Sequence, residues 1–271
     1  MRKLLKILPL LLPAFPLVSC SIKESRAECP CYALIDLDEY AELSDAEDIL
    51  VTVRGGGVSS NSEVKLTDCL GCGHEEKVGR SSVIFCSASG YGDMNVQSDS
   101  VRAPGNMEWG KIFSDGQIAD CDDDICVVRM RPHKEYCTVI FLVVGVPSEG
   151  LLFDMRVRAN SDGVRLRDSK PLEGAYTAYV SGSFAGSVCS VRIPRQEDDN
   201  MVLDLLEHRE DRTYTAEDIL TSFPLGRMIR AQGFSWTKSS LDDVYITIDY
   251  SRMIADVSII EWNEKDIEES I

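Results

Sequence analysis

Ten cysteines, three histidines and 45 acidic residues are the side chains of this 271-residue sequence best suited to chemistry. Cys69-Leu-Gly-Cys72-Gly-His74 has the close spacing that zinc sites use. A structural zinc site takes four ligands, usually as two such pairs, and Cys121-x4-Cys126 is a poor second pair. A disulfide-stapled loop, or free thiols, is the better reading. Asp120-Cys-Asp-Asp-Asp124 gathers carboxylates that could hold calcium. It lacks the glycine and the distal glutamate of a calcium-binding loop, and so reads as a solvated acidic loop. His74, His133 and His208 are far apart in sequence. No Gly-x-Ser-x-Gly elbow supplies a nucleophile beside one of them, so each reads as a surface residue. Nothing marks out a pair of acids for glycoside hydrolysis. The tryptophans are Trp109, Trp236 and Trp262. A concave cluster around Trp109 or Trp236 would mark a glycan-binding surface, although Trp236 reads first as core packing beside Phe234.

The most specific signal lies at the start. Arg2, Lys3 and Lys6 form a basic segment, residues 4–17 are mostly apolar, and Leu17-Val-Ser-Cys20 follows. Basic start, short apolar run and small residue before the cut describe a secretory signal. The Leu-x-Ser-Cys ending resembles the bacterial lipobox. That resemblance implies cleavage before Cys20 and transfer of diacylglycerol and palmitate to this cysteine. Several acyl chains hold a protein to a membrane far better than one. Pro9, Pro13 and Pro16 interrupt the run, which argues against a spanning helix of about 20 apolar residues. Residues 1–19 are thus expected to be the signal peptide and residues 20–30 a polar tether. Lys23-Glu24 in that tether faintly resembles the signal that places some lipoproteins on the outer face of the outer membrane.

The net charge is -17, and near -20 once Arg2, Lys3 and Lys6 are removed. So acidic a surface argues against nucleic-acid binding and against charge-driven adhesion to anionic lipid. Nine cysteines remain beside Cys20. The cell envelope permits disulfides, and an odd number leaves one thiol unpaired within the chain. Cys29, Cys31, Cys69, Cys72, Cys121 and Cys126 sit near turns and are the candidate bridge partners, with connectivity open. Cys86, Cys137 and Cys189 lie in apolar runs and read as small core residues.

These residues must be carried by strands. Period-two runs occur at residues 31–38, 49–54, 82–86, 126–131 and 138–144, separated by Gly, Asn, Asp and Ser. Gly55-Gly56-Gly57 reads as a turn or bulge. Pro147-Ser148-Glu149-Gly150 is the best candidate boundary. Strand patterns then resume at residues 153–158, 175–180, 187–193, 201–206, 244–250 and 254–260. The chain is therefore expected to be all-β. Two successive strand sets predict two β-sandwich domains, residues 31–148 and 149–271. One or two short helices are expected in the second. Thr215-Ala-Glu-Asp218 has capping-box character ahead of Ile219-Leu220, and Pro224 opens a short turn ending near Gly233.

Two regions resemble one family. Cys20-Ser-Ile-Lys-Glu-Ser-Arg-Ala-Glu-Cys-Pro-Cys31, followed at once by a strand, resembles the FimB-type minor fimbrial (anchor) subunits of type V pili. Phe223-Pro-Leu-Gly226, Gly233-Phe-Ser-Trp236, residues 241–250 and residues 254–262 are similar to the C-terminal half of the same family. The resemblance implies two transthyretin-like Greek-key sandwiches. It implies a non-enzymatic subunit on the outer membrane, facing the cell surface, with no cofactor beyond the lipid on Cys20. Its partner would be a fimbrial stalk subunit, joined by β-strand addition. In the implied assembly, a stalk subunit loses its first strand by cleavage at an arginine and accepts its neighbour's strand. An anchor keeps its first strand. Residues 32–53 contain no Lys or Arg, the first being Arg54, so trypsin-like cleavage between the first two strands is unavailable. The alternative reading is a surface lipoprotein that binds glycan or host protein through the same domains. After Trp262 the tail is mostly charged, with Ile267 and Ile271 its only aliphatic residues, which makes it a poor donor strand.

Overall fold

The computed structural model describes residues 31–43, 47–89, 95–97, 99–146, 153–180 and 188–260. The signal, the tether with Cys20 and Cys29, and residues 261–271 with Trp262 lie outside them. Among the described residues no helix is long and apolar enough to cross a membrane.

The chain folds as two tandem β-sandwiches. The first contains β1 (Cys31–Asp36), β2 (Asp48–Gly55), β3 (Val58–Lys65), β4 (His74–Val78), β5 (Ser81–Ser89), β8 (Ile112–Asp120), β9 (Ile125–Arg129) and β10 (His133–Lys134), while the short β6 (Asn95–Gln97) and β7 (Ser100–Arg102), between β5 and β8 in the chain, join a sheet of the second. One sheet runs β4-β1-β9 and the facing sheet β10-β8-β5-β2-β3. Helix α1 (Asp38–Leu43) is pinned by the Tyr40 hydroxyl, which donates to the Cys86 carbonyl at 2.7 Å. Helix α2 (Leu66–Cys69) follows β3. The glycine triplet closes the β2–β3 hairpin. Gly55 pairs with Val58, and Gly56 and Gly57 form the two-residue loop with φ of 56° and 78°. A two-residue turn with both φ values positive matches the right-handed twist of the strands, and glycine adopts it at no steric cost.

The second sandwich contains β11 (Tyr136–Val144), β12 (Phe153–Arg165), β13 (Lys170–Val180), β14 (Val188–Pro194), β15 (Val202–Glu207), β16 (Ile219–Phe223), β17 (Asp243–Asp249) and β18 (Ile254–Ile260), with helix α3 (Leu225–Ala231). One sheet runs β14-β11-β17-β18 and the other β16-β15-β12-β7-β6, with β13 paired to β12. The two sandwiches repeat one arrangement. β1 lies antiparallel to β4 and parallel to β9, and β11 lies antiparallel to β14 and parallel to β17. In each, the first strand sits between two others.

The crossing from one core to the other differs from the expected boundary. Tyr136 packs in the first core and Cys137 in the second. The strand at residues 138–144, assigned from the sequence to the first domain, therefore builds the second. Turn chemistry at Pro147-Ser148-Glu149-Gly150 suggested a linker, but those residues fall between β11 and β12, both in the second sandwich. At the true crossing there is no linker composition to read. Lys134 and Glu135 are buried, and the Lys134 backbone is bonded to Ser240 and Leu241 of the second sandwich. The long β12–β13 hairpin reaches back, pairs with β7 and places Val164 and Leu166 in the first core.

A second correction concerns Ile219-Leu220. Thr215 and Asp218 do form a capping box, on the short 3-10 turn Ala216–Asp218, but Ile219 then enters β16 and pairs with β15. β-Branched Ile219 and Thr221 fit a pleated, half-buried surface better than a helix.

Candidate functional site

The seat of β1 is where the fold and the sequence signals meet. Cys31, Ala33 and Ile35 point into the first core with no exposed surface, and Leu37 and Tyr40 behind them are equally buried. The opposite face carries Tyr32, Leu34 and Asp36. Backbone pairing runs unbroken along both sides, from Cys31–Val78 to Ile35–His74 on β4 and from Tyr32–Ile125 to Asp36–Arg129 on β9. Without β1, β4 and β9 would face each other across an apolar groove with two unpaired edges, a costly state for buried peptide groups. Arg54, the first basic residue after β1, is tied into the β2–β3 hairpin. Its guanidinium donates to the carbonyls of Val53 and Ser60 and to Asn61 Oδ1 at 2.7–2.8 Å.

The outer face of this sheet carries an exposed apolar row. Tyr32 lies beside Ile125 and Leu34 beside Val127, and Tyr32, Ile125 and Val127 are exposed. At its end Arg129 pairs with Asp36 at 3.1 Å. In the second sandwich, β18 is a sheet edge. It pairs with β17 along its length and, among the described residues, with nothing on its other side. Ala255, Val257 and Ile259 pack toward the core, while Ile254 and Ile260 are exposed. A long edge strand with one charged residue, Asp256, is a template for a further strand.

The cysteines divide into three groups. Cys121 and Cys126 form a disulfide with Cα atoms 5.3 Å apart. It closes the loop holding the acidic residues 122–124, and Arg80 occupies the place a cation would take. One Arg80 nitrogen donates to the carbonyls of Cys121 and Asp122 at 2.9 Å. Cys69 and Cys72 are free thiols on a tight turn, Cys69 buried and Cys72 exposed, with the Cys72 thiol donating to the Asp68 carbonyl. Burial, then the neighbouring Cys72 and Asp68, push the Cys69 thiol up. His74 turns away from them to Glu76, Nε2 to Oε2 3.1 Å. Among the described residues no three His, Cys, Asp or Glu side chains are grouped to hold a metal. Cys31, Cys86 and Cys137 are buried free thiols. Burial raises Cys86 and Cys137 well above the thiol range and pushes Cys189 up to about 11, which leaves all three as inert packing groups at neutral pH.

The histidines stay apart. His208 Nδ1 meets Asp154 Oδ2 at 2.9 Å, but the same oxygen accepts the Tyr214 hydroxyl at 2.6 Å. Among the described residues no serine or cysteine side chain is hydrogen-bonded to the ring of His208 or His133, and His133 meets Ser114 through strand pairing. Trp109 is buried in the first core. Trp236 packs edge-to-face on Phe234, ring centres 4.7 Å apart, and also lines a cleft between the sandwiches. Spacing alone could not place this last residue, because the cleft is assembled from five separated segments.

No protein-family model matches the sequence, and no curated protein matches it. Solved structures do match the fold. A candidate adhesin from Bacteroides ovatus aligns with TM-score 0.57 and 10% identity over 86% of this chain and 94% of that one. The fimbrial anchor protein Mfa2 from Porphyromonas gingivalis aligns with TM-score 0.56 and 12% identity over 86% and 98%. A candidate polysaccharide-binding protein from Bacteroides thetaiotaomicron aligns with TM-score 0.55 and 11% identity over 86% and 98%. The class these likenesses define is a fold, two tandem β-sandwiches. Within it, this chain has the fold of the FimB/Mfa2-type fimbrial subunits.

Proposed function

We propose that this protein is the membrane-proximal subunit of a fimbrium and is not an enzyme. Lipid on Cys20 holds it in the outer membrane, facing outward. The retained β1 closes the first sandwich against strand acceptance and so ends the fimbrium at its base. The free edge of β18 offers its main-chain groups to the first stalk subunit, a contact that needs little side-chain specificity. The observation that carries this reading is the seated β1, central in its sheet and joined to β2 by a segment without Lys or Arg. The shared fold with a fimbrial anchor protein supports it. The chain's likeness to a candidate polysaccharide-binding protein supports a second role beside it, for which the cleft at Trp236 supplies a place.

A Cys20→Ala strain tests the tethering. The variant loses its lipid, and both it and the fimbriae are expected in the medium, with palmitate labelling of the protein abolished. Fimbriae that stay on the cells at the wild-type level would contradict the role.

A further inference from the structure

A cleft of about 640 Å³ lies where the two sandwiches meet, a size within the range of small-molecule sites. Arg195, which lines it, belongs to an ion pair sunk between the cores. Glu135, with no exposed surface, accepts from Arg195 Nε at 3.0 Å and from the Ser114 hydroxyl at 3.1 Å, and Ser169 also donates to it. The other Arg195 nitrogens donate to the backbone carbonyls of Trp236, Lys238 and Ser239. One buried guanidinium therefore fixes the whole loop that carries Trp236. The opposite wall is fixed as firmly. The turn 166–169 rests on Gly116 so closely that a Cβ there would sit 2.6 Å from the Arg167 carbonyl. A side-chain framework held this way is in place before a ligand arrives.

The charges that remain free set the ligand class. Asp115 is buried and accepts from the Arg131 backbone N–H and the Gln117 amide, Asp168 is paired with Arg165, and Lys238 with Asp242. At the exposed lip of the cleft, Arg167 and Lys170 stand against Glu197. Arg167 has only a 3.9 Å contact with Asp168. Two adjacent exposed cations are a local exception on a chain of net charge -17. An indole beside them suits a flat molecule with one apolar face, and the hydroxyls of Thr237 and Ser239 line the same wall.

We infer that this cleft binds a carboxylated sugar unit of a glycan. The pyranose ring lies on Trp236, its carboxylate pairs with Arg167 and Lys170, and its hydroxyls reach Glu197 and the loop. The site is separate from both β1 and the β18 edge, so glycan capture and fimbrial anchoring coexist in one subunit.

Isothermal titration of the detergent-solubilised mature protein tests this, with tetrasaccharides carrying glucuronate, galacturonate or sialic acid and their carboxyl-reduced counterparts. At least one acidic tetrasaccharide is expected to bind, and carboxyl reduction to weaken it at least tenfold. Trp236→Ala and Lys170→Glu are each expected to weaken it at least tenfold, with Trp236→Phe recovering most of the loss. Lys170 is exposed, so Lys170→Glu should keep the wild-type melting temperature and remain informative even if Trp236→Ala does not. Three results would overturn the inference: no acidic tetrasaccharide binds, the reduced forms bind equally, or Lys170→Glu binds as the wild type does.

Discussion

Replacing Asp204 with alanine is expected to lower the unfolding free energy by about 3 kcal/mol, the loss seen when one member of a buried charge pair is removed. Asp204 lies on the outer face of the second sandwich, yet has no exposed surface. Two arginines of β12 cover it. Arg156, directly opposite on the neighbouring strand, donates through Nε and Nη2 at 3.0 and 2.8 Å. Arg158 donates through Nε and Nη2 at 2.7 and 3.0 Å, and the Ser222 hydroxyl adds 2.7 Å from β16. Three strands are thereby pinned at one carboxylate. Removing it leaves two guanidinium groups facing each other. Arg158 is half exposed and can turn to water, which keeps the expected loss at the lower end.

Burial pushes the Asp204 carboxyl up, but hydrogen bonds from Arg158, Ser222 and Arg156 outweigh it and hold the group below the ordinary aspartate value. A carboxyl depressed in the folded state stabilises fully above its unfolded pKa of about 3.9. That contribution is lost as pH falls through the lower folded value. Urea unfolding should therefore show a wild-type advantage over Asp204→Asn that is constant from pH 7 to pH 5 and shrinks below about pH 4. Asp168, Asp211, Asp218 and Asp249 are also held low, so the whole protein should weaken in the same acid window. An Asp204→Ala protein within 0.5 kcal/mol of wild type, the usual scatter of surface changes, would contradict this account.

The second large effect falls on β1. Ile35→Ala is expected to destabilise by about 2–5 kcal/mol, as buried aliphatic truncations do, and Ile35→Asp by more, because a charge would enter a core position with no exposed surface. Tyr32→Asp, three residues earlier on the outward face, should change stability by roughly 0.5 kcal/mol or less. The contrast separates a strand seated in the core from one lying loosely on it. Denaturant midpoints of the three variants measure it, and equal losses at Ile35 and Tyr32 would contradict the seating.

Strands with strong alternation were legible in the sequence. β1, β2, β11, β17 and β18 each carry apolar residues at every second position, and the structure finds them where that period puts them. β3 was missed because its residues, Val58–Lys65, are mostly polar and it is a sheet edge with alternating half-exposure, a position that needs little apolar content. β8 was missed because Asp115, Gly116 and Gln117 interrupt it. The structure explains the interruption. Asp115 accepts from the Arg131 backbone, and Gly116 makes room for the β12–β13 turn, so tertiary contacts override local propensity there. The domain crossing was hidden for the same reason, since it runs through buried Lys134 and Glu135 rather than through turn residues. That β1 is a strand with one buried face could be read from the alternation of residues 31–37, but its place between β4 and β9 could not, because β4 is mostly charged. The cleft could not, because Arg195, Glu135 and Trp236 are far apart in sequence and only the packing of the two sandwiches brings them together.

The most direct test of the anchor role is mass spectrometry of the native protein isolated with its partners from gently sheared outer membranes. The account predicts a chain that begins at acylated Cys20, retains β1, and comes with a strand-rich stalk subunit. A chain that begins after β1, or one recovered without any fimbrial partner, would contradict it.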